Sequence, residues 1–523
     1  MLTKDKTTEI RSIIFRHLDG VAIASTLVSL NKNGIIDYIR QNKNFDTAMI
    51  LKRFTLNIGY LNVALRLICS QGLLIQTIII DGENIKYSIT EKGAFIFQHL
   101  KKYYFCLDWF KYFLKINPNK TNSIDHSIIK DLFIEASNNW GLDKKSIHPS
   151  YNYYLSKQLN GILISPIIAL LGYNQIFNDK TTLKNFFLKN NFNRTLAKIL
   201  SIENWITKKF DLTEEGKYVI NISSAYGVTL SYLDTFIKVD DLIFKNPKVL
   251  QINTNLKKEK HVNRKMNVWG SGGAHKTYFK HIDKLIIELF NKPLEGQPLG
   301  VADMGCGNGQ FLIHINDVIK NTLRGKNLNK YPLHFVGADY NNDALKVAKE
   351  NLENANINCH LIKADISKPA DYSEKLKYAS NLDLFNFLNI RSFLDHNRIF
   401  STPKNLSHHT SNSTCTFSSK GKWIPNYILE NNLIEHFERW KPYISKFGLI
   451  LLELHSLNPN LVKENLGKSL ATAYDATHSY SDQYILELDR FKYCIKKARL
   501  NFSTSSLKFP NNKLATISIN YVK

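Results

Sequence analysis

Three glycines and three carboxylates in the second half of this chain are spaced to hold a nucleoside. Residues 299–313 read LGVADMGCGNGQFLI: the apolar run Leu299, Val301, Ala302 ends in Asp303, passes through Gly305, Cys306, Gly307 and Gly309, and re-emerges as the helical pattern Phe311, Leu312, Ile315. That is a strand, a tight loop and a helix start, and glycines suit it because the turn is sharp and a ligand must approach bare backbone. Many mononucleotide and dinucleotide sites share such a loop. A second apolar run, HFVGAD, ends in Asp339 and is followed by Tyr340; a carboxylate there can accept hydrogen bonds from both hydroxyls of a ribose. A third, INCHLIKADI, closes on Asp365 and Ile366, where the carboxylate and the next backbone N–H could read an adenine edge. One such junction is easily a solvated strand end, whereas three in succession argue for one pocket.

The motif D-M-G-C-G-N-G, with Asp339 and Asp365 in their places, resembles the class I S-adenosylmethionine-dependent methyltransferases. The resemblance implies an α/β, Rossmann-like domain with a seven-stranded sheet, and S-adenosylmethionine as the cofactor held by these residues. A dinucleotide dehydrogenase would carry G-x-G-x-x-G near a domain start with a second domain after it; this loop reads G-x-G-x-G and lies past the middle. Upstream, Gly270 to Gly273 in GSGGAH are expected to form a turn leading into an amphipathic helix with Tyr278, Ile282, Ile286 and Phe290 on its apolar face. Ser271, Gly272 and His275 either close over the amino-acid end of the cofactor or cap that helix, and both readings stay open.

The last third carries unusual polar residues. LDLFNFLNI reads as a fourth strand, followed by RSFLDHNR with His396; WKPYISKFGLILLELH supplies a fifth strand, with His455 at its carboxyl end; THSYSDQY carries His478 and Gln483. SHHTSNSTCTFSSKGK reads as a polar loop, DRFKYCIKKARL as a helix, and LNFSTSSLKFP and LATISINYV as closing strands. In an open α/β sheet these histidines and the glutamine come near one edge. Two imidazoles and an amide oxygen could hold an iron or manganese ion with positions open to a chelating substrate, and hydrogen-bonded histidines are the competing reading. The series GSGGAH, QPLGVADMGCGNG, VGADYN, RSFLDHNR, LLELH and THSYSDQY is similar to the C-methyltransferase domains of apratoxin-type polyketide starter modules, from Val268 onward. Some members of that family depend on iron or manganese and methylate malonyl groups on an acyl carrier protein; others work without a metal. The resemblance makes His455, His478 and Gln483 metal-ligand candidates and His396 an acid/base candidate; in a small-molecule O- or N-methyltransferase, His396 or His478 would serve as a simple base. No acyltransferase-like or carrier domain is recognisable, which leaves the substrate open between a carrier-bound acyl group and a free small molecule.

Those side chains need a scaffold. Ile13, Ile14, Leu18, Val21, Ala22 and Leu27 recur at near-helical spacing, GIIDYI marks a turn, and LNIGYLNVALRLICSQGLL reads as a buried helix ending near Gly72. LLIQTIII and IKYSIT, separated by DGEN, read as a hairpin. Helices followed by a two-stranded wing predict a winged-helix-like domain over residues 1–100. It resembles the amino-terminal domain of small-molecule O-methyltransferases, which implies homodimerisation or substrate covering. DNA reading is disfavoured, because the presumed recognition helix carries only Arg66 as a base. Residues 101–265 read as a mostly helical connecting or lid region, and 266–523 as the catalytic domain. ITEKGAFIF at 89–97 recurs as LTEEGKYVI at 212–220, either a second wing-like unit or a coincidence in a short window.

The 69 Lys and Arg against 45 Asp and Glu give a net charge of +24. The lysines are scattered among asparagines without a basic block, so the charge reads as a solvated surface, one that would also attract an acidic carrier protein. Six cysteines with no C-x-x-C pair suggest neither a zinc ribbon nor a disulfide framework. No signal peptide is recognisable, and no apolar run approaches the roughly 18 residues of a membrane span. A reduced cytoplasmic setting without a membrane partner is expected. The reading is an S-adenosylmethionine-dependent methyltransferase acting on carbon of an acyl, malonyl-like intermediate. A small-molecule O- or N-methyltransferase is the first alternative, and a nucleic-acid-binding regulator that keeps the fold for ligand sensing the second.

Overall fold

Every residue from His17 to Leu30 is buried, and so is every residue from Gln158 to Leu171. The helices that carry them, Lys4–Lys32 and Pro149–Tyr173, are covered on all sides along these stretches, where they pack along each other in the interior. By length and composition both could cross a bilayer, contrary to the expectation above. A search for unbroken apolar runs passes over them because His17, Asp19 and Gln158 interrupt the pattern. The computed structural model describes residues 2–80, 84–118, 120–121, 126–143, 147–176, 180–250, 259–406 and 409–523. The turn signal at 81–83 and 407–408 of the polar loop lie outside them.

The chain forms two units: Met1–Gly273 with Thr416–Ile424 and Asn458–Asp482, and Ala274–Cys415 with Pro425–Leu457 and Gln483–Lys523. In the first, β1 (Asn44–Asp46), β2 (Leu74–Ile80) and β3 (Asn84–Ile89) form an antiparallel sheet in the order β1-β3-β2, in which β2 and β3 are the hairpin read from LLIQTIII and IKYSIT. Its presumed recognition helix, Ile58–Ser70, is buried from Gly59 to Ser70, and Arg66 is consumed in a buried ion pair with Asp475. No face of it is left to enter a DNA groove. The echoed segments form the helices Glu91–Gln98 and Glu214–Asn221, each capped by threonine: Thr90 Oγ1 accepts from the Gly93 N–H at 2.8 Å, and Thr213 Oγ1 from the Gly216 N–H at 3.0 Å. Ahead of the second, the wing is reduced to a single bridge between Ile206 and Leu212.

The expected glycine turn at 270–273 does not form. Arg264–Lys280 is one continuous helix, and Gly270 serves close packing instead: a Cβ there would lie 2.5 Å from the Val228 nitrogen and 2.6 Å from the Gly227 carbonyl carbon.

In the second unit, short apolar runs covered on both faces become parallel strands. β4 (Gly300–Met304), β5 (His334–Asp339), β6 (Cys359–Lys363), β7 (Leu388–Ser392), β10 (Leu449–Leu454), β11 (Leu507–Phe509) and β12 (Ile517–Val522) form one sheet in the order β11-β12-β10-β7-β4-β5-β6. Only β12 runs against its neighbours β10 and β11. The expected fourth strand begins later than LDLF, which forms a 3-10 turn at Leu384–Asn386. Because β4 pairs with β5 on one side and β7 on the other, the crossovers leave in opposite directions and open a crevice at the carboxyl ends of these strands. The polar loop contains the hairpin β8 (Phe417–Ser419) and β9 (Lys422–Ile424), which belongs to the first unit. There Gly59 donates to the Gly421 carbonyl at 2.9 Å, and a Cβ on Gly59 would meet Ser418 Oγ at 2.6 Å.

Candidate S-adenosylmethionine site

The loop after β4 is drawn tightly under β5. The Gly305 and Cys306 N–H groups both donate to the Ala338 carbonyl, at 2.7 and 3.0 Å. Gly305, Gly307 and Gly309 all have positive φ (85°, 54° and 77°), which a side chain would strain. A Cβ on Gly307 would meet nothing within 4 Å, so the loop is bare on its open side, as a close ligand requires. Cys306 is buried, its sulfur 3.1 Å from where a Cβ on Gly337 would sit, so its side chain packs on β5 and its contribution is backbone.

Asp339 clamps the loop: Oδ2 accepts from the Gly307 N–H at 3.1 Å and Oδ1 from Asn341 at 2.8 Å. A carboxylate accepts at up to about four lone-pair positions, which suits a ribose diol. Tyr340 beside it is 66% exposed, a surface for an aromatic base or sugar to lie against. Asp365 Oδ1 accepts from Ser367 N at 2.9 Å and Oγ at 2.8 Å, and the Ile366 carbonyl accepts from the Trp440 indole at 2.8 Å, which fixes the third junction.

Asp303 is buried, and its Oδ1 has no hydrogen-bond partner among the described residues. Burial, reinforced by the Asp339 charge, raises its carboxyl to about 7. An orphaned buried carboxylate beside a glycine cradle fits a cationic ligand. Because the folded value lies above the ordinary 3.8, its contribution to stability is greatest in acid and is lost as pH rises through about 7. A bound cation favours the charged form, so affinity for S-adenosylmethionine is expected to rise with pH below 7, approaching about tenfold per unit, and to level off above it. Calorimetric titrations across this range should give that slope for the native chain and a flat profile for Asp303→Asn.

The loop after β7 carries the acid/base candidate. His396 follows β7 in the 3-10 turn Asp395–Asn397, and its Nδ1 lies 2.6 Å from Glu453 Oε1 at the end of β10. Glu453 Oε2 also accepts the His396 backbone N–H at 3.1 Å, and Oε1 the Leu454 N–H at 2.7 Å. A carboxylate accepts only, so Nδ1 carries the proton and Nε2 is the basic nitrogen. Two residues earlier, Leu394 packs on the glycine loop, its Cδ2 2.8 Å from the Cβ position of Gly305. The imidazole is thereby tied to the cradle. Glu453 escapes sequence reasoning, although an acid closing the otherwise apolar run LILLEL repeats the pattern of Asp303 and Asp339.

Of the metal-ligand candidates, His455 and Gln483 belong to the second unit and His478 to the first. His455 is buried with both ring nitrogens engaged: Nδ1–H donates to the Leu486 carbonyl at 3.2 Å, and Nε2 accepts from Ser518 Oγ at 2.7 Å. Burial lowers it to about 3, keeping it neutral. Its lone pair is spent on Ser518, so the ring does not fit a metal ligand. His478 lies in the first unit, on the helix Ala471–Ser479, with Nδ1 2.8 Å from the Tyr474 carbonyl; Gln483 is buried in the second. Among the described residues no group of three or more His, Cys, Asp or Glu is arranged to hold a metal ion. Ser271 and Gly272 sit mid-helix in the first unit, and the His275 side chain lies outside the described residues.

Residues 259–520, which take in this sheet and its loops up to Asn520, match the family model of the AprA MT2-like domain. The chain belongs to the AprA MT2-like methyltransferases. It is therefore an S-adenosylmethionine-dependent methyltransferase. Two further models match this methyltransferase, the AprA N-terminal domain at residues 10–76 and the AprA winged helix domain at 160–246, so the family places its winged helix in the region of the echo. Among solved structures it is similar to the mitomycin 7-O-methyltransferase MmcR (9% identity, 72% of this chain and 98% of that chain, TM-score 0.41). It is also similar to a putative O-methyltransferase from Nostoc punctiforme (15%, 72% and 100%, 0.38) and to the CurJ carbon methyltransferase (11%, 76% and 97%, 0.32). No curated protein matches it.

Proposed function

We propose that this methyltransferase alkylates an acidic carbon of an acyl intermediate, malonyl-like and carried on an acyl carrier protein, with His396 as the base. The observation that carries the proposal is the 2.6 Å contact between His396 Nδ1 and Glu453 Oε1. When bound, S-adenosylmethionine supplies a methyl group already activated for displacement by its sulfonium sulfur. His396 Nε2 takes the proton from the carbon between two carbonyls, and Glu453 balances the imidazolium that forms. The carbanion takes up the methyl group as the carbon–sulfur bonding pair returns to sulfur. Burial of both residues keeps water from competing for the proton, and in-line alignment of donor and acceptor supplies much of the remaining acceleration. The net charge of +24 suits an acidic carrier protein, and the six unpaired thiols suit a reducing cytoplasm.

The deciding experiment supplies isotopically labelled S-adenosylmethionine with malonyl and β-ketoacyl thioesters, free and carrier-bound, and locates the label by mass spectrometry. Methyl on carbon supports the proposal; methyl on oxygen or nitrogen contradicts it. Iron or manganese has no place in this reading, since His455 is committed to Ser518. Chelators are accordingly expected to leave kcat within about twofold, a change too small to reflect lost transition-state binding. A large loss restored by added iron or manganese would overturn the metal-free reading.

A further inference from the structure

Two stretches of the first unit share a pattern of sequence, caps and contacts. Residues 16–25, RHLDGVAIAS, align with 157–166, KQLNGILISP, so that His17 corresponds to Gln158 and Gly20 to Gly161. In this alignment the two fully buried stretches coincide, from His17 and Gln158 to Leu30 and Leu171. Both helices end on an asparagine followed by a residue of positive φ, Asn33 and Gly34 (78°) in one, Asn174 and Gln175 (56°) in the other.

The correspondence continues past the long helices. Ile58–Ser70 is followed by left-handed Gly72, with the Leu73 N–H returning to the Ile68 carbonyl at 3.1 Å; Asn191–Leu200 leads to left-handed Asn204, with the Trp205 N–H returning to Leu200 at 3.3 Å. Thr90 N–H then reaches the Leu73 carbonyl at 3.2 Å, and Thr213 N–H the Trp205 carbonyl at 3.1 Å. A Cβ on Gly93 would sit 2.9 Å from the Leu73 carbonyl carbon, and one on Gly216 2.9 Å from that of Trp205. After each threonine-capped helix comes a 3-10 turn ending in tyrosine, Leu100–Tyr103 and Ser223–Tyr226.

The contacts between the copies are reciprocal, as across a twofold axis. A Cβ on Gly20 would lie 2.5 Å from the Gln158 carbonyl oxygen, and one on Gly161 2.5 Å from the His17 carbonyl oxygen. Gln158 of the second copy accepts from Tyr103 at 2.6 Å and donates to Gln71 at 3.0 Å, both in the first. His17 of the first copy meets Tyr226 at 3.2 Å and Glu203 Oε1 at 3.4 Å, both in the second, where Tyr226 and Glu203 stand in the places of Tyr103 and Gln71.

We infer that residues 4–113 and 149–236 are two copies of one winged-helix-like module closed on each other about a pseudo-twofold axis at Gly20 and Gly161, and that this closure takes the place of dimerisation between chains. The apolar helix that would need a second chain to cover it is covered in cis. The second copy has kept the crossing and shed most of its wing. The homodimer expected from the sequence is replaced by this internal pair.

Light scattering of the full chain between about 1 and 50 μM, a range in which obligate dimers stay associated, should give one particle of 60.3 kDa. A particle of twice that mass would overturn the replacement of dimerisation. The equivalence of the copies is tested at His17 by thermal melting. His17→Gln installs the residue that the second copy uses at the same place, and should move Tm by less than about 1 °C, whereas His17→Leu, which cannot meet Tyr226 or Glu203, should lower it by roughly 4 °C or more. Equal damage from both substitutions would overturn the equivalence.

Discussion

Replacing His396 by alanine is expected to lower kcat for methyl transfer by roughly 10²–10⁴-fold, the usual contribution of a positioned general base. The affinity for S-adenosylmethionine should stay within about twofold, because the cradle of Gly305, Gly307 and Asp339 is made by other side chains and backbone. Glu453→Gln keeps the shape of the pair but allows an amide N–H to face the ring, so the wrong tautomer becomes competitive. A loss of about tenfold to a hundredfold is expected, the range of effects for groups that act through a catalytic residue. The two losses should not multiply in the double variant, since both residues serve one proton transfer. Single-turnover kinetics with saturating cofactor measures both, and a His396→Ala variant that keeps native kcat would remove His396 from the chemistry.

Cutting the ion pair between Arg66 and Asp475 is expected to have the largest effect on stability. Both side chains are buried, so Arg66→Ala leaves a carboxylate out of water without its partner, at a cost of about 3–5 kcal/mol. For a unit of this size that corresponds to a fall in Tm of roughly 10 °C. The pair joins the helix Ile58–Ser70 to the excursion Asn458–Asp482, which Thr472 also fastens through Ser70 and Gln71 at 2.9 and 2.8 Å. Asp482 holds the same helix by accepting from Tyr60 at 2.8 Å, and it receives the Lys420 N–H of the hairpin at 2.9 Å. Replacing both partners by apolar residues, Arg66→Met with Asp475→Leu, should recover most of the loss, since no uncompensated charge remains. A single variant melting within about 1 °C of the native chain would show that water reaches the carboxylate.

What could be read in advance depended on how local the signal was. The glycine loop with Asp303, Asp339 and Asp365 was legible because each lies within a few residues of the strand end that positions it. The surroundings of the histidines were not, because their hydrogen-bond partners are distant in the chain. Ser518 lies far along the chain from His455 and takes the lone pair a metal would need. Glu453, which orients His396, was hidden inside an apolar strand. Glycine spacing misled at GSGGAH, since a close helix crossing and a tight turn both demand a missing side chain, and only Gly227 against Gly270 decides between them. The duplication showed in one short echo because the module keeps its glycines, its caps and its reciprocal polar pairs while most apolar positions drift freely within the core.

The account is tested most directly by the position of the transferred methyl group. With labelled S-adenosylmethionine and a malonyl thioester on a carrier protein, the native chain should place the label on the carbon between the two carbonyls, and His396→Ala should place almost none there while still binding the cofactor. Label on oxygen or nitrogen, or undiminished carbon labelling by the alanine variant, would contradict it.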